Sequence, residues 1–151
     1  MKIHIGLLSL VMLLSACTAS EAIVNRYSAD YVFNDFIEKQ SLLSVDRIAP
    51  FKLRGYRVLS SQLVAITGAN GKHFLLESTD TCEDFEHAIK VYLLTREKNI
   101  VQANTDKFVR VGEDFAPCNV SNIFKLHEVQ YEELARLQRK INPTHRYEYH
   151  K

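Results

Sequence analysis

The sequence lacks tryptophan and is poor in glycine, proline and cysteine, with five, three and three of these among 151 residues. It has no internal repeat, no low-complexity tract and no run of basic residues, which excludes a disordered linker and a nucleic-acid-binding charge pattern. Lys and Arg number 19 against 18 Asp and Glu, and 46% of the residues are hydrophobic, as in globular proteins. We therefore expect a single folded domain with no nucleic-acid partner.

A hydrophobic run long enough to cross a membrane is also absent. The N-terminal apolar segment, residues 5–14, is about half as long as the roughly 20 residues that a spanning helix needs. Lys2 precedes it and the small residues Ser15 and Ala16 follow it, a pattern typical of a secretory signal peptide. We predict a signal peptide over residues 1–16, and a buried N-terminal helix or strand is the alternative.

The apolar segment ends in Leu14-Ser15-Ala16-Cys17, which resembles the lipobox of bacterial lipoproteins. The resemblance implies cleavage before Cys17, lipidation of its thiol with diacylglycerol, and acylation of its new amino group. Several acyl chains anchor a protein stably where one binds only marginally. Thr18 stands where an Asp would imply retention in the inner membrane. We expect an outer-membrane lipoprotein that faces the periplasm, contacts the membrane through Cys17, and has residues 17–27 as a tether.

Two cysteines remain after lipidation, Cys82 and Cys118. The exported compartment is oxidising, so the pair predicts one structural disulfide. Two buried free thiols, or a reactive or metal-binding pair, are the alternatives, although neither a CxxC motif nor a His–Cys ligand spacing accompanies them. We expect no metal and no cofactor.

Hydrophobic periodicity predicts helices at both ends of a series of short strands. Near-helical spacing indicates a first helix over 28–43 with Ser28 as N-cap, and an amphipathic helix over 128–141 that Pro143 ends. Alternating or β-branched segments predict strands at 57–60, 63–67, 73–78, 89–94, 100–103, 107–111 and 118–126. The expected fold is α+β, mainly an antiparallel meander forming a small barrel or sandwich. One globular domain would span 28–142, followed by a flexible tail at 143–151.

The block 55–126 is similar to a group of small Gram-negative lipoproteins with two cysteines and no known function. The features that carry the similarity are Gly55-Tyr56, HFLLEST leading into Cys82, Phe85, Ala88, Ile89, Asp106, and Cys118 followed by NVSNIFKL. The similarity implies export, a disulfide and a β-rich core, and it implies no activity. The helix and tail after Leu126 are not expected in that group.

No catalytic motif is complete in the sequence. His127-Glu128 begins like a zinc-protease helix, but Tyr131 stands where the second histidine would be needed. Glu83–His87 gathers acidic and imidazole side chains beside Cys82, and a solvated acidic surface explains them better than a metal site. His73 and Glu77 share one strand face, where a carboxylate could orient an imidazole as a general base.

We therefore expect a non-catalytic binding or interaction module for an envelope protein partner. Tyr56 and Tyr92 are the candidate exposed contact residues, and cross-strand packing is an equal alternative for both. The alternatives are an envelope enzyme or metal-dependent factor that uses His73, Glu77 or Glu83–His87. An inhibitor of a hydrolase, a structural role and a small-ligand carrier are further alternatives.

Overall fold

The computed structural model of the chain describes residues 20–80, 82, 85, 90–111, 115–141 and 148–149. Within these residues, two helices and ten strands follow one another in this order: α1 (Ser20–Lys39), β1 (Arg47–Ile48), β2 (Leu53–Val58), β3 (Leu63–Gly68), β4 (His73–Glu77), β5 (Lys90–Leu94), β6 (Val101–Gln102), β7 (Lys107–Val111), β8 (Phe115–Asn119), β9 (Asn122–Leu126), α2 (Glu128–Ile141) and β10 (Glu148–Tyr149). Every strand pair is antiparallel. The predicted α+β class is confirmed.

The strands form three antiparallel sheets. A five-stranded sheet has the order β10-β2-β3-β4-β9, a three-stranded sheet the order β5-β7-β8, and β1 pairs with β6. The central strand β3 is buried at all six positions, so both faces of the larger sheet are covered. Because β4 and β9 are neighbours while β5 to β8 lie between them in sequence, the connectivity is not a simple meander.

One face of the five-stranded sheet packs against the three-stranded sheet. Alternate residues along each strand point to this interface because side chains in a strand alternate between the two faces. The five-stranded sheet contributes Tyr56, Val58, Val64, Ile66, Phe74, Leu76 and Ile123, and the three-stranded sheet contributes Val91, Phe108 and Cys118. The two sheets form a sandwich, and no closed barrel occurs in the described part of the chain.

The opposite face of the five-stranded sheet packs against both helices. Its buried residues and those of the helices form a second apolar cluster, made up of Phe33, Phe36, Leu59, Leu63, Ala65, Leu75, Leu126, Tyr131 and Leu134. Helix α2 spans the residues predicted for it, with Tyr131, Leu134, Ala135 and Gln138 on its buried face. The order of layers is therefore helices, large sheet, small sheet.

Helix α1 differs from its predicted bounds at both ends. It begins at Ser20 rather than Ser28, because no glycine or proline interrupts residues 20–28 and helical backbone continues through them. It ends at Lys39, before the predicted end at residue 43, and Ser41 then takes the left-handed conformation (φ 47°) common just after helix ends. The chain from Ser20 to Tyr27, expected to be a tether, is thus helical.

The single strand predicted over 118–126 is wrong. Two strands, β8 and β9, occupy this region, and the chain passes from the small sheet to the large one between them. At the crossing, the Val120 amide donates to the Asp106 carbonyl and the Ser121 amide to the Glu77 carbonyl. In the segment expected to be a flexible tail, Glu148 and Tyr149 pair with β2.

The hairpin between β3 and β4 depends on two glycines. Gly71 has a φ of 75°, a conformation that only glycine adopts without strain. A Cβ on Gly68 would lie 2.8 Å from Asn70 Oδ1 and 3.1 Å from the Phe51 ring, so both side chains would have to shift to accommodate it. The prediction of a tight hairpin at 68–71 is confirmed, with Gly68 donating its amide to the Lys72 carbonyl.

A buried carboxylate holds the loop between β5 and β7. Asp106 accepts the amide N–H of Arg96 at 2.9 Å through one oxygen and that of Gln102 at 2.7 Å through the other. Because an unpaired buried carboxylate would be strongly destabilising, these two bonds fix how the loop folds over the small sheet. The Asp106 of the resembling block is therefore a structural residue.

A disulfide joins Cys82 to Cys118, with Cα atoms 6.1 Å apart, as predicted. It links the segment that follows β4 to strand β8 of the small sheet. Both cysteines are buried in the core between the two sheets of the sandwich.

Loss of the disulfide is expected to destabilise the fold. Closing a loop over a sequence separation of 36 residues removes denatured-state entropy worth about 3.8 kcal/mol in the chain-entropy model. We expect the Cys82→Ser/Cys118→Ser double variant to lose about 2–4 kcal/mol of unfolding free energy in urea titrations. The bond itself is checked by thiol labelling of the Cys17→Ser chain, which retains only Cys82 and Cys118. If both thiols are labelled after denaturation without reductant, the disulfide is absent.

Candidate functional site

Several residues nominated from the sequence are not available as a site in the structure. Cys17 and most of Glu83–His87 lie outside the described residues. Cys82 and Cys118 are bonded to each other. Among the described histidine, cysteine, aspartate and glutamate residues, no group of three or more is arranged to hold a metal ion.

The expected exposure of Tyr56 is wrong. Tyr56 is buried in the core between the two sheets, on the same face of β2 as Val58. Tyr92 is 41% exposed, in agreement with the sequence prediction.

Tyr92 belongs to an exposed apolar surface on strand β5, which lies at one edge of the small sheet. Leu94, two residues further on, points the same way and is 47% exposed, whereas Val91 points into the core. The Lys90 ammonium lies 5.1 Å from the centre of the Tyr92 ring, within the range of a cation–π interaction. We call Lys90, Tyr92 and Leu94 the β5 surface.

A second polar group lies where the large sheet meets the N-terminus of α2. His73, at the start of β4, is hydrogen-bonded through Nδ1 to Thr67 Oγ1 and through Nε2 to Glu128 Oε2, both at 3.0 Å. The ring of Tyr131 stacks on the imidazole with centroids 4.0 Å apart and planes 15° apart. Together, Thr67, His73, Glu128 and Tyr131 form what we call the His73 junction.

The protonation pattern of the His73 junction follows from its partners. An ionised carboxylate can only accept, so Nε2–H donates to Glu128. In the neutral imidazole, Nδ1 then accepts the hydroxyl proton of Thr67. Strands β3 and β4 and helix α2 are joined by these bonds.

The order hydroxyl, imidazole, carboxylate resembles that of a nucleophilic triad, but the accessibility is reversed. In a triad the nucleophile faces the substrate and the carboxylate is buried. Here the Thr67 hydroxyl side is buried in the sheet, and the Glu128 side chain is 70% exposed. The geometry supports a structural role, in which the junction positions the first turn of α2 on the sheet.

The His73–Glu77 pair considered as an alternative from the sequence does not form. The two residues lie at opposite ends of β4. Glu77 instead accepts a 2.7 Å hydrogen bond from the side-chain amide of Asn122 on β9. They share a face, as the alternation predicted, but four residues along a strand separate them by about 13 Å.

A buried polar pair beneath α2 was not predicted from the sequence. The Arg57 guanidinium donates to Gln138 Oε1 at 2.9 Å, and Gln138 Nε2 donates to the Val58 carbonyl at 3.2 Å. Gln138 interrupts the apolar face of α2 at a fully buried position. That interruption is the signal from which a buried partner could have been inferred, although the sequence does not identify Arg57, 81 residues away.

The stability of the His73 junction can be tested by substitution. We expect His73→Ala to lower the unfolding free energy by about 2 kcal/mol, because it removes two hydrogen bonds and a ring contact from a mostly buried position. Glu128→Gln should change it by only about 0.5 kcal/mol, since that carboxylate is largely solvated. Exposed His127→Ala is the matched control, and equal losses for His73→Ala and His127→Ala in urea titrations would contradict a structural junction.

Comparison with known proteins identifies a family and no characterised relative. The model of a family of unknown function, DUF6491, matches residues 1–142. The match extends through α2, which the resemblance seen in the sequence did not include. A search of curated proteins and a search of solved structures find no match to the chain. The chain therefore belongs to this family of unknown function, DUF6491.

Proposed function

We propose that the protein is a lipid-anchored envelope protein whose β-rich domain is a non-catalytic binding module. The observation that carries the proposal is the sequence Leu14-Ser15-Ala16-Cys17 at the end of a short apolar segment that begins after Lys2. In this proposal residues 1–16 are the signal peptide, Cys17 carries the acyl chains, and the domain faces the periplasm from the outer membrane.

The disulfide supports an exported location. Disulfides persist in oxidising compartments and are rare in the cytosol. The Cys82–Cys118 bond joins two buried residues within the core, where it acts as a structural link. No helix in the described residues is long and apolar enough to cross a membrane.

Lipid anchoring would allow a weak interface to suffice. Each buried CH₂ of an acyl chain contributes about 0.8 kcal/mol, so several chains hold the protein at the surface. Partners in the same membrane meet at a raised effective concentration, which increases occupancy without additional contacts.

The β5 surface supports the binding role. Tyrosine is enriched at binding hot spots because its ring gives a large contact area with little side-chain entropy to lose. Leu94 extends that area, and Lys90 adds a cation beside the ring. This surface replaces the pair Tyr56 and Tyr92 expected from the sequence, since Tyr56 is in the core.

A catalytic role has less support. His73 is held by Thr67, Glu128 and Tyr131 in an arrangement that positions α2. Glu77 is bonded to Asn122 at the other end of β4.

The anchor is tested by Cys17→Ser. Without the acylated thiol, we expect the protein to leave the membrane fraction and appear in the soluble periplasmic fraction, because the remaining chain has no lipid to bury. Thr18→Ala is the matched control and should stay with the membrane. Sedimentation of the Cys17→Ser protein with membranes to the same extent as the parent would contradict lipidation at this residue.

The binding role is tested by cross-linking in intact cells followed by mass spectrometry. We expect one dominant envelope protein, and we expect Tyr92→Ala/Leu94→Ala to reduce its recovery about tenfold, which corresponds to about 1.4 kcal/mol. Tyr31→Ala, which removes an exposed aromatic ring from α1, is the control. Undiminished recovery of the partner with the double variant would contradict a role of the β5 surface in binding. If the protein is found at the membrane but no partner is cross-linked to it, the binding module is contradicted.

A further inference from the structure

The loop between β3 and β4 contains the one asparagine of the chain that a glycine follows, in the dipeptide Asn70-Gly71. A following glycine leaves its own backbone nitrogen unhindered, because glycine has no Cβ. Every other asparagine precedes a residue with a Cβ, and in four places that residue is β-branched: Asn99-Ile100, Asn104-Thr105, Asn119-Val120 and Asn122-Ile123. Asn70 is therefore the asparagine whose side-chain amide is most open to attack by the next backbone nitrogen.

The structure exposes this dipeptide to solvent. Ala69, Asn70, Gly71 and Lys72 are all exposed. A Cβ built on Gly71 would meet no atom within 4 Å apart from those of the adjacent residues. The loop is therefore open to water on the side of Gly71, and no packed side chain lies there to block a change of the backbone.

Three hydrogen bonds hold the loop in its closed form. The Gly71 N–H donates to the Gly68 carbonyl at 2.9 Å, and the Gly68 N–H donates to the Lys72 carbonyl at 2.9 Å. The Lys72 N–H donates to Asn70 Oδ1 at 3.1 Å, which draws electron density away from the Asn70 Cγ atom. The first of these bonds holds the nitrogen of Gly71, so that nitrogen can reach Cγ only after the loop opens. Exposed loops open at low free energy because few buried contacts must break with them.

We infer that Asn70 is a site of deamidation in which water is the only co-reactant. The Gly71 backbone nitrogen gives up its proton and forms a bond to Asn70 Cγ, while the bond from Cγ to the side-chain nitrogen breaks and that nitrogen leaves as ammonia. Water then adds to one of the two carbonyl carbons of the resulting succinimide ring and opens it, which gives aspartate or isoaspartate at position 70. In isoaspartate the main chain runs through Cγ and is longer by one methylene group. The inference goes beyond the proposed binding function and does not depend on it.

The position of this site links it to the His73 junction. Thr67 and His73 form the first cross-strand pair after the loop, and the Thr67 hydroxyl is bonded to the imidazole. An additional methylene between Gly68 and Lys72 changes the loop length on which the register of a tight hairpin depends. We therefore expect the isoaspartate form to have a weaker junction and, through Glu128, a less firmly held first turn of α2.

The first arm of the test incubates the purified Cys17→Ser chain in mildly alkaline buffer and follows each asparagine by peptide mass spectrometry. Cleavage after Arg57 and Lys72 gives a peptide, residues 58–72, whose one asparagine is Asn70. We expect this site to convert at least about tenfold faster than the asparagines that precede β-branched residues, where the second branch at Cβ hinders the attacking nitrogen. Equal rates at all these sites would overturn the inference. Conversion in the isolated peptide 58–72 but not in the folded chain would also overturn it, because the loop would then be held closed.

The second arm measures deuterium exchange of the isoaspartate form after chromatography has separated it from the parent and from the aspartate form. We expect the amides of residues 67–73 to exchange about tenfold faster than in the parent. Asn70→Asp is the matched control, since it adds the same negative charge without the methylene and can still accept the Lys72 N–H, so its exchange should equal that of the parent. Unchanged exchange in the isoaspartate form would overturn the link to the His73 junction. Equally fast exchange in Asn70→Asp would assign the effect to charge and contradict the role of the longer main chain.

Discussion

The burial of β3 on both faces is the constraint on which the rest of the structure depends. A strand that is buried throughout must have a packed layer above and below it, and here those layers are the two helices and the small sheet. Val64 and Ile66 point to one layer, Leu63 and Ala65 to the other. Each large apolar side chain buried in this way contributes about 1.5–3 kcal/mol. The disulfide then holds the segment after β4 against β8 of the small sheet.

Both polar groups under α2 follow from that arrangement. Where a helix covers a sheet, any polar side chain at the interface needs a partner, because an unpaired one would be destabilising by about 1–3 kcal/mol. The His73 junction satisfies this at the N-terminal end of α2, and the bond between Arg57 and Gln138 does so at the C-terminal end. Apolar contacts are non-directional, whereas these bonds require particular atoms to meet, so they fix the position of α2 along the sheet.

The elements that were predicted correctly are those whose signals are local. Helix α2 has a continuous apolar face and a proline two residues beyond its end, and the hairpin of β3 and β4 has its glycines within four residues of one another. The errors concern information that is not local. No glycine or proline divides residues 118–126, and the pairing of β8 with β7 and of β9 with β4 separates them into two strands. Likewise, the sequence around Tyr56 shows which residues alternate but not which face of the strand is buried. The carboxylate partner of His73, Glu128, is 55 residues away and cannot be identified from a local pattern.

The layered fold also limits where a binding surface can lie. With both faces of the large sheet covered, the described residues leave the loops, the sheet edges, the outer face of the small sheet and the outer faces of the helices for contacts to a partner. Tyr31, Leu43 and Val129 are exposed apolar residues that lie on separate elements, whereas Tyr92 and Leu94 lie two apart on one strand and face the same way. Adjacent apolar side chains can be covered together by one partner surface, while isolated ones are common on any protein. Among the described residues, the β5 surface is therefore the place where two exposed apolar side chains and a cation lie together on one strand.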